Sequence, residues 1–170
     1  YGGMCTSEYT QSLLNLSEAA NKSEGVKLTT IFLGNESLIQ RGRNTIAHHF
    51  MDLPDATHLL FIDADIKFRT QDIVKMIQAD KSLIIGPVAL KGYEWDEIRQ
   101  AAINGEDDIQ RTGGVFNINK LPGVDMVDEN EPFEIEHGGN AFMMIRRDCF
   151  ETLKPHTPIY TNGGRSLPDG

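Results

Sequence analysis

Between Ser7 and Val88 the chain alternates three times between a helical pattern and a short apolar run, and this alternation limits the fold more than any other feature. Ser7 to Asn21 carries Leu13, Leu14, Leu16 and Ala20 at near-helical spacing, and Gly25 ends that segment. Val26 to Leu33 (V-K-L-T-T-I-F-L) is short and rich in β-formers, bounded by Gly34-Asn35, and predicts a strand. Ser37 is positioned to cap a second helix running to about Leu53, with Leu38, Ile39, Ile46, Ala47 and Phe50 on one side. Pro54-Asp55 breaks it. His58 to Ile62 then reads as a strand buried on both faces of a sheet. A third helix, from about Thr70 to Ala79, groups Ile73, Met76 and Ile77, and Leu83 to Val88 is the next buried strand. Buried strands separated by helices predict parallel pairing through right-handed crossovers, in a three-layer, Rossmann-like α/β sheet.

After Gly92 the pattern changes. Trp95 to Ile103 reads as a helix, Asn104 to Gly114 as a polar loop, and Phe116 to Glu136 as short strands joined by Pro and Gly turns. Gly139 to Arg147 is an apolar strand, with Asp148 placed to cap a short helix over Cys149 to Leu153. The expectation is one domain over 1–170, with a first half to Gly92 and a more antiparallel second half over 93–170. At 170 residues with 39% apolar and 24% charged residues, such a domain can bury a core without staples. Its apolar runs are too short to span a bilayer, and no secretion signal opens the chain. The net charge of −9 excludes an electrostatic nucleic-acid binder, although a metal ion can still bring an anionic nucleotide to an acidic protein. Cys5 and Cys149, without a C-x-x-C pair, exclude a zinc ribbon and a disulfide framework and imply reduced thiols.

The chemistry concentrates in Phe61-Ile62-Asp63-Ala64-Asp65. Ligands of open α/β sheets sit beyond the carboxyl ends of strands, which is where these aspartates stand. Alternate residues of an extended chain point the same way, so two hard oxygen ligands face one site, suited to Mg²⁺ or Mn²⁺ bridging substrate phosphates. The plain alternative is an Asp-rich strand end acting as turn former or helix cap. A second motif, Ser37-Leu38-Ile39-Gln40-Arg41-Gly42-Arg43-Asn44, puts two arginines near a helix start, where the macrodipole disfavours cations. Either an anion binds there, or the arginines are a solvated surface pair or salt-bridge to Asp63 or Glu36. His48-His49 read as packing or surface, and Glu106-Asp107-Asp108 as a solvated loop. Tyr93 and Trp95 are either an aromatic platform for a sugar ring or part of the core.

Three stretches, S-L-I-Q-R-G-R-N-T-I-A-H, T-H-L-L-F-I-D-A-D-I-K-F and H-G-G-N-A-F-M-M-I-R-R-D-C-F, together resemble the GT-A-type glycosyltransferases, nearest a branch met in phages and large DNA viruses. The resemblance runs from Tyr1 to about Phe150. It implies a GT-A sheet, a nucleotide-diphosphate sugar donor, Mn²⁺ or Mg²⁺ on Asp63 and Asp65, and sugar transfer to a hydroxyl of a glycan, lipid or protein acceptor. It also implies a cytoplasmic enzyme, in the host cytoplasm if viral. By the same resemblance, Tyr1, Gly2 and Gly3 cradle the nucleoside, and Arg41, Arg43, Asn44 and Ala64 line the donor. Gly138 and Gly139 line the sugar and acceptor cleft, where paired glycines either leave room for a sugar or serve a tight turn. The family pattern has a strand before the position of Tyr1 and an acidic motif, often with a histidine, beyond the position of Gly170. Within the chain, Glu136 and His137 are the candidates for a catalytic base. Two other readings compete. Haloacid-dehalogenase-type phosphatases use D-x-D at a strand end, but Lys67 stands where their pattern has a small or β-branched residue. A non-catalytic glycan-binding or assembly module on the same fold is the other.

Overall fold

A computed structural model of the chain describes residues 3–34, 36–107, 109–124 and 131–158. It is mixed α/β and divides into two compact units, Tyr1–Ile84 with Met143–Gly170, and Ile85–Phe142.

In the first unit, α1 (Ser7–Lys22) begins where the Thr6 hydroxyl accepts the Tyr9 amide at 3.2 Å, satisfying a first-turn donor. Its buried stripe is Tyr9, Ser12, Leu16 and Ala20, whereas Leu14 faces out. That set holds helical spacing over three turns, and the predicted Leu13-Leu14 pair straddles its edge. The stripe packs on α3 (Thr70–Gln78), which buries Ile73 and Met76. Tyr9 and Phe68 meet edge to face at 6.1 Å, and the buried Ser12 hydroxyl accepts the Phe68 amide at 3.1 Å. Helix α2 (Ile39–Asp52) is not capped by Ser37. Leu38 is the capping residue, and Glu36 provides the acceptor for its amide at 3.0 Å. Leu38 and Ile39, predicted on the apolar side, are exposed, and Phe50 is the helix's anchor in the core.

Phe50 packs with Leu59 and Phe61 of β1 (His58–Ile62) and Ile145 of β7 (Phe142–Arg146), with Ile46, Ala47 and Met51 around them. Burial alternates along β1, so one face carries the core rather than both. With β2 (Leu83–Ile85) these strands form a sheet in the order β1-β7-β2. The Arg147 amide donates to the Thr57 carbonyl, the Arg146 amide to Ser82, and the Gly86 amide to Phe142, each at 2.9 Å. Numbers rise on β7 as they fall on its neighbours, so β7 is antiparallel to both. Among the described strands the pairing is mostly antiparallel, and the Rossmann-like, mostly parallel sheet predicted from the alternation is not seen. Helix-strand alternation says that β1 and β2 run the same way. It does not say whether a strand from farther along the chain lies between them. The predicted strand Val26–Leu33 has no assigned secondary structure and makes no backbone hydrogen bond among the described residues, and Val26, Leu28 and Phe32 are exposed. Alternation makes a segment strand-like, but its amides need a neighbour to complete a ladder.

The second unit has the antiparallel character predicted for this half. β3 (Ala89–Tyr93) pairs with β4 (Gly114–Phe116), and β5 (Ile118–Lys120) with β6 (Ile135–Gly138). Helix α4 (Trp95–Asn104) ends on Gly105 in the left-handed conformation, and α5 (Ile109–Thr112) is a single turn inside the predicted loop. In α6 (Arg147–Leu153), Asp148 sits inside the helix rather than at its cap, its carboxylate held by Arg146 at 2.6 and 3.0 Å. Cys5 and Cys149 are free thiols. No described helix is long and apolar enough to cross a membrane.

Arg147 closes the first unit. Its guanidinium donates to the carbonyls of Phe50 (2.9 Å), Leu53 and Ala56 (2.6 Å), and its Cζ lies 4.7 Å over the Phe50 ring. These oxygens stand at and just past the C-terminal end of α2, where carbonyls lack helical partners and a cation is favoured. Lysine cannot reproduce three donors in one plane. Arg147→Lys should cost about 2 kcal/mol in urea unfolding and Arg147→Met about 3, charge-assisted bonds of this kind being worth roughly 1.5–3 kcal/mol each. A loss under about 0.5 kcal/mol, the range of ordinary surface substitutions, would remove Arg147 from this role.

Candidate functional site

The chain turns immediately after Ile62. The Ile66 amide donates to the Asp63 carbonyl and the Thr6 amide to the Ala64 carbonyl, both at 3.0 Å. Asp63-Ala64-Asp65 is thus a turn held by the segment leading into α1, rather than the continuation of a strand. Thr6 carried no signal in the sequence as a support of this turn, because its partner is an unremarkable alanine carbonyl far along the chain. β1, read in the sequence as a strand buried on both faces, is an edge of its sheet among the described strands.

Arg43 joins α2 to the turn. Its Nη2 donates to Asp63 Oδ1 at 2.8 Å, and its Cζ sits 5.0 Å from the Phe61 ring centre. The Asp63 side chain is 40% exposed and that of Arg43 17% exposed, so the carboxylate remains open to solvent while its partner is largely covered. Burial pushes the Asp63 carboxyl above its ordinary range, Arg43 opposes the rise and the charge of Asp65 adds to it. The two carboxylates are therefore electrostatically in touch.

Arg41 is committed elsewhere. It grips Glu36 through Nε–Oε2 at 2.7 Å and Nη2–Oε1 at 2.6 Å. The Arg41 hydrogen bond, followed by that of the Leu38 amide, takes the Glu36 carboxyl down to about 2. Gly42 makes this possible, because a Cβ there would stand 3.2 Å from both Glu36 Cγ and a Leu33 methyl. Of the readings open in the sequence, the salt bridges to Glu36 and Asp63 are the ones that form. A carboxylate at the positive end of α2 offsets the arginines locally. Asn44 is exposed on the same helix. A recess of about 180 Å³ opens between α2 and the end of β1, lined by Leu33, Ile39, Ile46 and Phe61 together with Arg43 and Asp63. A larger open groove of about 620 Å³ runs between α1 and residues 67–71, edged by Ser7, Gln11, Asn15, Lys67 and Arg69. In the sequence this groove is marked only by polar residues at positions 7, 11 and 15, which share one side of a helix.

Among the described residues no three or more His, Cys, Asp or Glu side chains gather as a metal cluster. Asp63 and Asp65 alone suit a hard divalent cation that completes its shell with phosphate and water. Burial is the main cause of the raised Asp63 carboxyl and the charge of Asp65 a smaller one, and a bound cation would offset both.

Gly3 takes a φ of +79°, a conformation that favours glycine, whereas Tyr1 and Gly2 lie outside the described residues. Glu136 and His137 are exposed on β6, where His137 Nε2 meets Asn119 Nδ2 at 2.7 Å. Gly138 and Gly139 belong to the second unit and Asp63 and Asp65 to the first. Side chains of the protein itself occupy the space of the two missing methyl groups. A Cβ on Gly138 would meet Ile135, Ile118 and Ile85 at 3.1–3.3 Å, and one on Gly139 would meet Asn117 Nδ2 at 2.4 Å. Neither glycine has a positive φ, so packing accounts for both, and no sugar space or tight turn is needed. Asn117 cannot retreat freely, because its Oδ1 accepts the Val88 amide at 2.8 Å.

Two measurements check this description. Gly139→Ala should cost about 1–3 kcal/mol by breaking the Asn117–Val88 bond, and should cost far less when introduced into Asn117→Ala. Equal costs in both backgrounds would discard the packing account. For Asp63 the sign follows from its raised pKa. The folded state holds the proton more tightly than the unfolded state, so this group favours folding at acid pH and loses that contribution as pH rises through its folded pKa. The melting temperature of Asp63→Asn minus that of wild type should therefore increase as pH rises across the carboxylate range. A flat or falling difference contradicts the raised pKa.

No protein-family model, curated protein or solved structure matches this chain.

Proposed function

We propose that the chain is the nucleotide-sugar-binding part of a metal-dependent glycosyltransferase, moving a sugar from a nucleotide-diphosphate donor to an acceptor hydroxyl. One observation carries the reading: Asp63, raised by burial and by Asp65, stays open to solvent beside a recess while Arg43 holds one of its oxygens. Asp63 and Asp65 would hold Mn²⁺ or Mg²⁺, which when bound neutralises the diphosphate and stabilises it as a leaving group. Arg43 fixes the rotamer of Asp63 and shields Phe61, so the carboxylate is oriented before any ligand arrives. Arg41 and Glu36 hold the first turn of α2 against the recess.

The test is calorimetric titration of nucleoside diphosphates and their sugar conjugates, with and without Mn²⁺. Binding should require the metal and should be abolished in Asp63→Ala and Asp65→Ala, with the fold retained by circular dichroism. Affinity should fall on acidification at a higher pH than for an ordinary aspartate, because the proton competes at the raised Asp63 carboxyl. Arg43→Lys should weaken binding by about tenfold through loss of one oriented, charge-assisted bond. Unchanged metal-dependent binding without the two aspartates would sink the proposal. Hydrolysis of simple phosphate esters dependent on Asp63 would favour the phosphatase reading.

A further inference from the structure

Tyr93, the last residue of β3, and Trp95, the first of α4, are exposed at 64% and 68%, so the core reading of this pair fails. Their rings are in contact, with centroids 5.6 Å apart and planes tilted by 49°. Two large rings turned to water cost hydration free energy without supporting the fold. The connection that positions them is fixed from beneath: the Glu94 amide donates to the Gly113 carbonyl at 3.2 Å, and the Glu94 carbonyl accepts the Ile98 amide at 3.0 Å. Gly113 must be glycine, because a Cβ there would stand 2.3 Å from Ile98. The pair is thus a preformed pair of faces on a braced turn.

The surroundings say what such faces suit. Glu94, Asp96 and Glu97 are exposed next to the rings, with Lys91 and Arg99 on the same two elements. Three carboxylates against two cations leave one net negative charge, too little of either sign to recruit a highly charged surface. An anionic membrane or nucleic acid would meet no basic excess here. Aromatic faces bordered by both donors and acceptors match a molecule with an apolar ring face and a rim of hydroxyls. The 49° tilt gives two faces at an angle rather than one plane, which favours contact with successive rings of a chain over a single sugar.

We infer that Tyr93 and Trp95 form a stacking platform for a neutral oligosaccharide. The inference deepens the acceptor side of the proposed transfer and rests on that reading, while its test does not depend on nucleotide or metal. Trp95 is the single tryptophan of the chain, so its emission reports on this site alone.

Cellotetraose, chitotetraose and maltotetraose, titrated in turn into the whole chain without metal, should produce a saturable change in Trp95 emission with at least one of them. Tyr93→Ala should weaken that response by about tenfold, the scale of one lost ring contact, and Tyr93→Phe should preserve it. Silence of Trp95 toward all three sugars overturns the inference, as does a response that Tyr93→Ala leaves undiminished. An emission shift that follows protein concentration without sugar also overturns it, by assigning the patch to self-association. Mn²⁺ and nucleoside diphosphate binding, measured on the same samples, separates the two proposals. A sugar response without nucleotide binding keeps the platform and discards the donor site. Nucleotide binding with a silent Trp95 does the reverse.

Discussion

The first unit depends on a charged group meeting a helix end. Arg147 gathers carbonyl oxygens at the close of α2 while its own amide secures Thr57, the residue before β1. The Phe50 and Leu53 carbonyls each accept one backbone amide as well, from Leu53 and Ala56 at 3.1 Å, so the guanidinium adds a second, charge-assisted donor to each and links them to Ala56. Because the same ring of contacts includes the face of Phe50, the clamp also fixes the residue around which Leu59, Phe61 and Ile145 pack. Helix, strand and core are one cooperative arrangement.

The candidate site inherits its geometry from that arrangement. α2 is held at its C-terminal end by Arg147 and at its N-terminal end by Glu36, so Arg43 near its start has a fixed origin from which to reach Asp63. Phe61 serves both sides, burying itself in the core and offering its ring to Arg43. The turn itself is tied through Ala64 to Thr6, hence to α1 and its packing on α3. Asp63 is thus oriented from one side by Arg43 while its other side faces solvent.

Much of this was legible in residue patterns and some was not. The helices α1 to α4 and the strand at His58–Ile62 follow from periodicity and punctuation, which are local, whereas the turn at Asp63-Ala64-Asp65 was open in the sequence only as the alternative to an extended pair. The strand order was not legible, because the partner that separates β1 from β2 lies about sixty residues beyond β2 and carries no mark of where it will insert. The pairing of Arg41 with Glu36 and Arg43 with Asp63 was foreseen only as one of two options. Charge on a helix says that a partner is wanted and leaves open whether the chain or a ligand provides it. Gly138 and Gly139 pose a related question. A sequence records that a methyl group is missing, and only coordinates show that Asn117 and three isoleucines use the room.

The return of β7 to the first unit has a consequence during synthesis. Arg147 and Ala56, joined in the folded molecule, are 91 residues apart. At about 5–20 residues per second, α2 and β1 leave the ribosome roughly 5 to 20 seconds before the arginine and the strand that complete them. Throughout that interval Phe50, Leu59 and Phe61 lack Ile145. The intervening residues, from Ile85 to Phe142, can meanwhile pair β3 with β4 and β5 with β6 from contacts within their own span. Packing of α1 on α3 and the two hairpins can therefore precede the cluster around Phe50, which closes only when Ile145 and Arg147 arrive.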